Sequence, residues 1–192
     1  MLDYSKAAKL LGVEEAAIKA VASVESAGDG LIKDAGGNSV PKILFERHIM
    51  FKRLRDFTPF KSADLMAKHP DIVNSSPGGY KGGIAEWGRL NQAIAIDKKT
   101  ALESASYGAF QIMGFHWQLL GFKSIQEMVD TSYTEQGQLD LFVLFIKANP
   151  NLKNALFRKD WASFAKGYNG SNYHINKYDL KMKEAYERFS KG

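Results

Sequence analysis

The chain has no cysteine in 192 residues, so disulfides, thiolate metal ligands and thiol nucleophiles are all excluded and stability must rest on packing. Its four histidines, His48, His69, His116 and His174, fall in no metal-ligand spacing, so a zinc peptidase is not expected. No metal and no cofactor is expected. A phosphate-binding Gly-rich Lys-Ser/Thr loop and a serine nucleophile elbow are likewise missing. No apolar run approaches the roughly 18 residues of a membrane span, and Met1 to Val13 lacks the apolar stretch and cleavage site of a secretory signal. Synthesis in the cytoplasm without stable membrane insertion is therefore expected. Acidic residues are in deficit, leaving a net charge of +5, which favours an anionic partner such as nucleic acid, a membrane surface or an acidic wall polymer. The basic residues are scattered and form no dense stripe, so a nucleic-acid partner is not expected.

What is present is a mostly helical pattern on one domain, residues 1–192, with 45% hydrophobic residues to fill its core. The first substantial helix is predicted from Glu14 to Glu25, where Ile18, Val21 and Ala22 recur at helical spacing. A small hairpin is expected around Gly36-Gly37, between Leu31-Ile32 and Ile43-Leu44-Phe45, and a helix from Glu46 to Leu54. Residues Phe57 to Lys81, with three prolines, read as interrupted helix and loop. Ser132 and Glu135 resemble a capping box that opens a central core helix through Leu139, Phe142, Val143 and Ile146. Trp87, Trp117 and Trp161 are expected to pack in the core rather than line a binding site.

The most informative residue is Glu25. It continues the apolar stripe of Val21 and Ala22 and stands where the helix gives way to Ser26-Ala27-Gly28. Desolvation and the negative end of the helix dipole both disfavour its charged form, so its pKa should rise, as a general acid at neutral pH requires. Two further blocks follow in order, Ser106-Tyr107-Gly108-Ala109-Phe110-Gln111-Ile112-Met113 and Phe164-Ala165-Lys166-Gly167-Tyr168-Asn169-Gly170. Ser106, Gln111 and Asn169 offer hydrogen-bond donors and acceptors to a polar ligand, and the Tyr168 hydroxyl is a candidate partner of the Glu25 carboxyl.

Together the three blocks resemble the lysozyme-like muramidase superfamily, which includes goose-type lysozymes and soluble lytic transglycosylases. With Lys42-Ile43-Leu44-Phe45-Glu46-Arg47-His48 and the Tyr80 to Leu90 segment, the likeness narrows to phage endolysin N-acetylmuramidase domains and covers nearly the whole chain. The resemblance implies a mostly α, α+β lysozyme-like fold: a helical bundle around a core helix, with a small β-hairpin or sheet beside the active-site cleft. It also implies cleavage of the β-1,4 bond between N-acetylmuramic acid and N-acetylglucosamine of peptidoglycan; a monomer is expected. Action on the wall from the periplasm after holin-type release follows from the same likeness. Such domains often stand beside a wall-binding module; here the chain starts almost directly at the catalytic helix, so wall affinity is expected from the domain itself.

A second carboxylate, either a base or a nucleophile, would complete the site. Glu46 ranks first because an apolar strand-like run delivers it beside Arg47 and His48. Glu103 lies near where goose-type enzymes carry a water-orienting aspartate, and it is also a candidate for contact with substrate. Asp34 is more readily a partner of the Gly36-Gly37 turn. Competing readings are a lytic transglycosylase using Glu25 as both acid and base, a non-catalytic wall-binding domain, and a basic nucleic-acid-binding domain.

Overall fold

The structure, a computed structural model, describes residues 2–25, 30–57 and 59–191, without the side chains of residues 57 and 59–61. The Ser26-Ala27-Gly28 turn lies outside the described residues. Two short helices open the chain, α1 (Tyr4–Leu11) and α2 (Glu15–Glu25). Strands β1 (Leu31–Lys33), β2 (Ser39–Pro41) and β3 (Ile43–Phe45) lead to α3 (Arg47–Phe57), α4 (Pro59–Lys68), α5 (Ala85–Ile96) and α6 (Lys98–Glu103). Strands β4 (Ala105–Tyr107) and β5 (Ile112–Met113) and a 3₁₀ turn at Gly114–His116 follow. The rest is helical: α7 (Ile125–Thr131), α8 (Glu135–Ala148), α9 (Pro150–Arg158), α10 (Trp161–Asn169) and α11 (Tyr178–Phe189). The expected mostly α architecture with small antiparallel sheets is what forms.

Helix α8 is the central element. Leu139, Leu141, Phe142, Val143 and Ile146 are all buried, so it is apolar nearly all round, as a helix enclosed by others must be. Its cap differs from the capping box expected at Ser132. The Thr134 side chain accepts the Gly137 N–H at 3.0 Å, whereas the Ser132 hydroxyl turns back to the Val129 carbonyl at 2.6 Å. Gly137 is required there, because a Cβ would stand 1.8 Å from the Thr131 carbonyl oxygen.

The strand pairing also corrects the expected hairpin. Leu31–Lys33 pairs with Ser39–Pro41, and Ile43–Phe45 pairs instead with Ala105–Tyr107, some sixty residues on. Asp34 explains the tight turn: its carboxylate accepts the N–H groups of Gly36 and Asn38 at 2.9 and 2.8 Å, closing the hairpin before Ile43 is reached. The three-stranded sheet then runs β3-β4-β5, with Leu44 opposite Ser106 and Ser106 opposite Met113. Because side chains alternate along a strand, Leu44, Ser106 and Met113 share one face. That face, with the end of α2 and the end of α10, frames the site.

Candidate active site

Helix α2 buries Ala17, Ile18, Val21 and Ala22, and the same stripe carries Glu25 to the helix end with its carboxyl largely withdrawn from water. Burial raises its pKa from 4.5 to about 7, even though a hydrogen bond from Asn169 works in the opposite direction. The Asn169 amide donates to both carboxyl oxygens, at 3.1 and 3.0 Å. Its own Oδ1 is buried without a partner, leaving an acceptor free beside the acid.

Tyr168 behaves differently from expectation. Its hydroxyl donates to the Phe110 carbonyl at 2.8 Å and leaves the Glu25 carboxyl to Asn169. The ring is stacked with Phe164 and meets Phe142 and Phe145 edge-on, so it fastens the end of α10 to the turn before β5. Burial and the neighbouring Glu25 push its phenol well above the ordinary range, so it stays a donor.

Gln111 lies on that turn at φ +49, a left-handed conformation that a side chain occupies at a cost, and its amide compensates by binding its own surroundings. Nε2 donates to the Gly108 carbonyl at 2.9 Å, and Oε1 accepts the Ser106 hydroxyl at 2.8 Å. Glu25, Gln111, Met113, His116, Tyr168 and Asn169 line one cleft of about 390 Å³. Burial lowers the pKa of His116, which therefore presents a neutral imidazole there.

Of the candidate second carboxylates, Glu46 stands at the end of β3, continuing the face of Leu44. One of its oxygens accepts the Tyr80 hydroxyl at 2.8 Å and lies 3.2 Å from His48 Nδ1. It is not among the residues lining the Glu25 cleft. The expectation that Glu103 faces substrate is corrected: it is buried, with one oxygen paired to Arg53 and the other accepting the Trp117 indole N–H at 2.7 Å. A carboxylate so enclosed serves packing. Asp34 is committed to its turn, as expected, and the same bonds hold its carboxyl below the usual range. None of the three tryptophans lines the cleft.

Comparison with known families matches residues 14–190 to Muramidase, described as N-acetylmuramidase. The chain belongs to the N-acetylmuramidase family. Among solved structures, this muramidase is similar to the Burkholderia AP3 phage endolysin, with 43% identity and a TM-score of 0.91, over 99% of this chain and 71% of that one. No curated protein matches. A phage-endolysin type of muramidase, and so a peptidoglycan hydrolase, is the class the fold and the cleft fit, and among the described residues no helix is long and apolar enough to cross a membrane.

Two supports of the muramidase site escape sequence reading. Glu86 and Arg89, one turn apart on α5, are fully buried and joined at 2.8 Å. Burial alone would raise the Glu86 pKa. The N–H groups of Lys81, Phe45 and Gly82, aided by Arg89, outweigh it and hold the carboxyl below the usual range. Arg89 also donates to the carbonyls of Phe45 and Asp71, at 3.0 and 2.7 Å, so this pair anchors the end of β3 immediately before Glu46. The second support is Gln138 on α8. It accepts from Ala109 N at 2.8 Å and donates to the carbonyls of Gly30 and Ser132, at 3.0 and 2.8 Å. One buried amide thus joins the chain emerging after α2 to the turn that carries Gln111. The glycines at 30 and 108, each pressed against Gln138, were the available signal.

Proposed function

We propose that this muramidase cleaves the β-1,4 bond between N-acetylmuramic acid and N-acetylglucosamine, with Glu25 as the proton donor. The observation that carries the reading is a carboxyl whose pKa stands at about 7, held by Asn169 inside a cleft. Glu25 gives its proton to the glycosidic oxygen as the C1–O bond breaks, and positive charge develops as an oxocarbenium-like centre on the sugar that keeps C1, where the water attacks. The left-over charge on Glu25 is accommodated by the Asn169 donor. Asn169 Oδ1 and the Gln111 amide, supported by Ser106, are the polar groups offered to acetamido substituents.

Glu46 acts as the base that deprotonates the attacking water. Tyr80 orients the Glu46 carboxylate, with His48 Nδ1 beside it.

The test is hydrolysis of purified peptidoglycan by Glu25→Gln and Glu46→Gln, with product masses determined. Glu25→Gln should lower turnover about a thousandfold and Glu46→Gln about a hundredfold, with reducing ends released by the wild type. Near wild-type turnover by Glu25→Gln removes the assignment. Anhydro products lighter by one water from the wild type would replace hydrolysis by intramolecular ring closure, and full activity of Glu46→Gln would leave Glu25 working without it.

A further inference from the structure

A second cavity, larger than the catalytic cleft at about 480 Å³, lies between α9 and α10. Phe145 lines both. Helix α10 is shared in the same way: Ser163 and Gly167, one turn apart, face the second cavity, and the next two residues, Tyr168 and Asn169, face the first. The two hollows are therefore neighbours across one aromatic edge, and a substituent leaving a sugar bound at Asn169 meets the second cavity after crossing Phe145.

The lining of that second cavity mixes apolar side chains with asparagines, Ser163 and one cation, Arg158. Asn151 and Asn154 project from α9 with side chains that make no hydrogen bond among the described residues. Arg158, at the end of the same helix, forms no ion pair there; its charge is felt by Asp160, whose carboxylate is already bound by Ser163. Amides and a guanidinium are the groups that recognise peptide bonds and carboxylates. The wider charge pattern agrees. Of the 26 Lys and Arg and 21 Asp and Glu in the chain, nine and four fall in residues 151–192, leaving 17 of each before them. The entire +5 excess thus lies in residues 151–192, which include α9, α10 and α11, and residues 1–150 are neutral on balance.

In peptidoglycan the muramyl sugar carries, through its lactyl group, a short peptide with free carboxylates. We propose that the α9–α10 groove binds this acidic stem peptide while the glycan occupies the Glu25 cleft, so that stem-bearing strands are the preferred substrate. Arg158 takes a carboxylate, and Asn151 and Asn154 take backbone amides. A few extended residues at about 3.3 Å each suffice to pass from the sugar over Phe145. The inference rests on the muramidase reading and adds the class of substrate to it.

The test compares kcat/KM on peptidoglycan strands before and after their stem peptides are removed with a muramoyl-alanine amidase, counting new reducing ends. The wild type should cut stem-bearing strands faster. Arg158→Gln and Asn154→Asp, both at exposed positions, should lose about tenfold on those strands and keep the wild-type rate on stripped ones, with unchanged Tm. Equal loss on both substrates, or no loss on either, overturns the proposal, the former pointing to general attraction of a basic surface for an anionic wall. Absence of reducing ends from both substrates with the wild type would instead overturn the muramidase reading itself.

Discussion

One amide nitrogen of Asn169 spans both oxygens of Glu25, at 3.1 and 3.0 Å, and so the residue that steadies the acid also works against its protonation. Burial prevails, since the pKa still stands at about 7. Asn169→Leu keeps the burial and removes the donor. Its kcat/KM should fall at every pH through lost positioning, and the alkaline limb of its pH profile, which follows loss of the Glu25 proton, should move above pH 7. A limb that stays or moves to lower pH would show that Asn169 does not touch the titrating group.

The same shift has a consequence for stability. Glu25 titrates near 4.5 in the unfolded chain and near 7 in the folded one, so between those values the folded state binds the proton more tightly. Stability from this group is complete below pH 4.5 and declines as pH rises towards 7, by about 2 kcal/mol once its partial exposure is discounted. Glu25→Gln has no proton to lose. The inactive variant should match the wild type near pH 4 and exceed it in urea unfolding at pH 8; a variant less stable than wild type at pH 8 would mean that the charged carboxyl is well accommodated.

How far the sequence could be read depends on the range of each interaction. The α2 stripe, the core helix and Glu25 itself were legible because helical periodicity is local, and the Glu25 carboxyl points where Val21 and Ala22 direct it. Strand β3 was legible as a strand but not its partner, since Ala105–Tyr107 is brought beside it only by the whole fold. Glu103 misled for the same reason. Its partners are Arg53, fifty residues earlier, and Trp117, fourteen later, and neither spacing is a pattern. Glu86 and Arg89 have the spacing of an ordinary solvent-exposed helical pair, and only tertiary packing turns them into a buried one.

That buried pair should be sensitive to loss of either member. Arg89→Leu leaves the Glu86 carboxylate enclosed without its cation, and the expected cost is about 3–5 kcal/mol. Replacing both, as Glu86→Leu with Arg89→Leu, should restore part of the loss in guanidinium unfolding. The freed N–H groups of Phe45, Lys81 and Gly82 still keep it below wild type. A double variant no more stable than the single would indicate that the backbone bonds, rather than the charges, hold β3 in place.

Gln138 makes a sharper prediction because a neighbouring glycine reports on it. Gly108 sits at φ +73, and a Cβ there would approach Gln138 Cδ to 2.5 Å. Gly108→Ala therefore combines two penalties: left-handed strain, about 1–2 kcal/mol, and displacement of the amide that ties Ala109, Gly30 and Ser132 together. Gln138→Ala removes the obstacle and leaves the Ser132 carbonyl and the Ala109 N–H without their partner, while the Gly30 carbonyl keeps the Lys42 N–H, at about 2 kcal/mol or more in total. In the Gln138→Ala background, Gly108→Ala should cost only the strain, so the two substitutions couple and their sum overshoots the double variant. Additive losses would show that the amide yields to the methyl group easily and that the turn bearing Gln111 is held by other contacts.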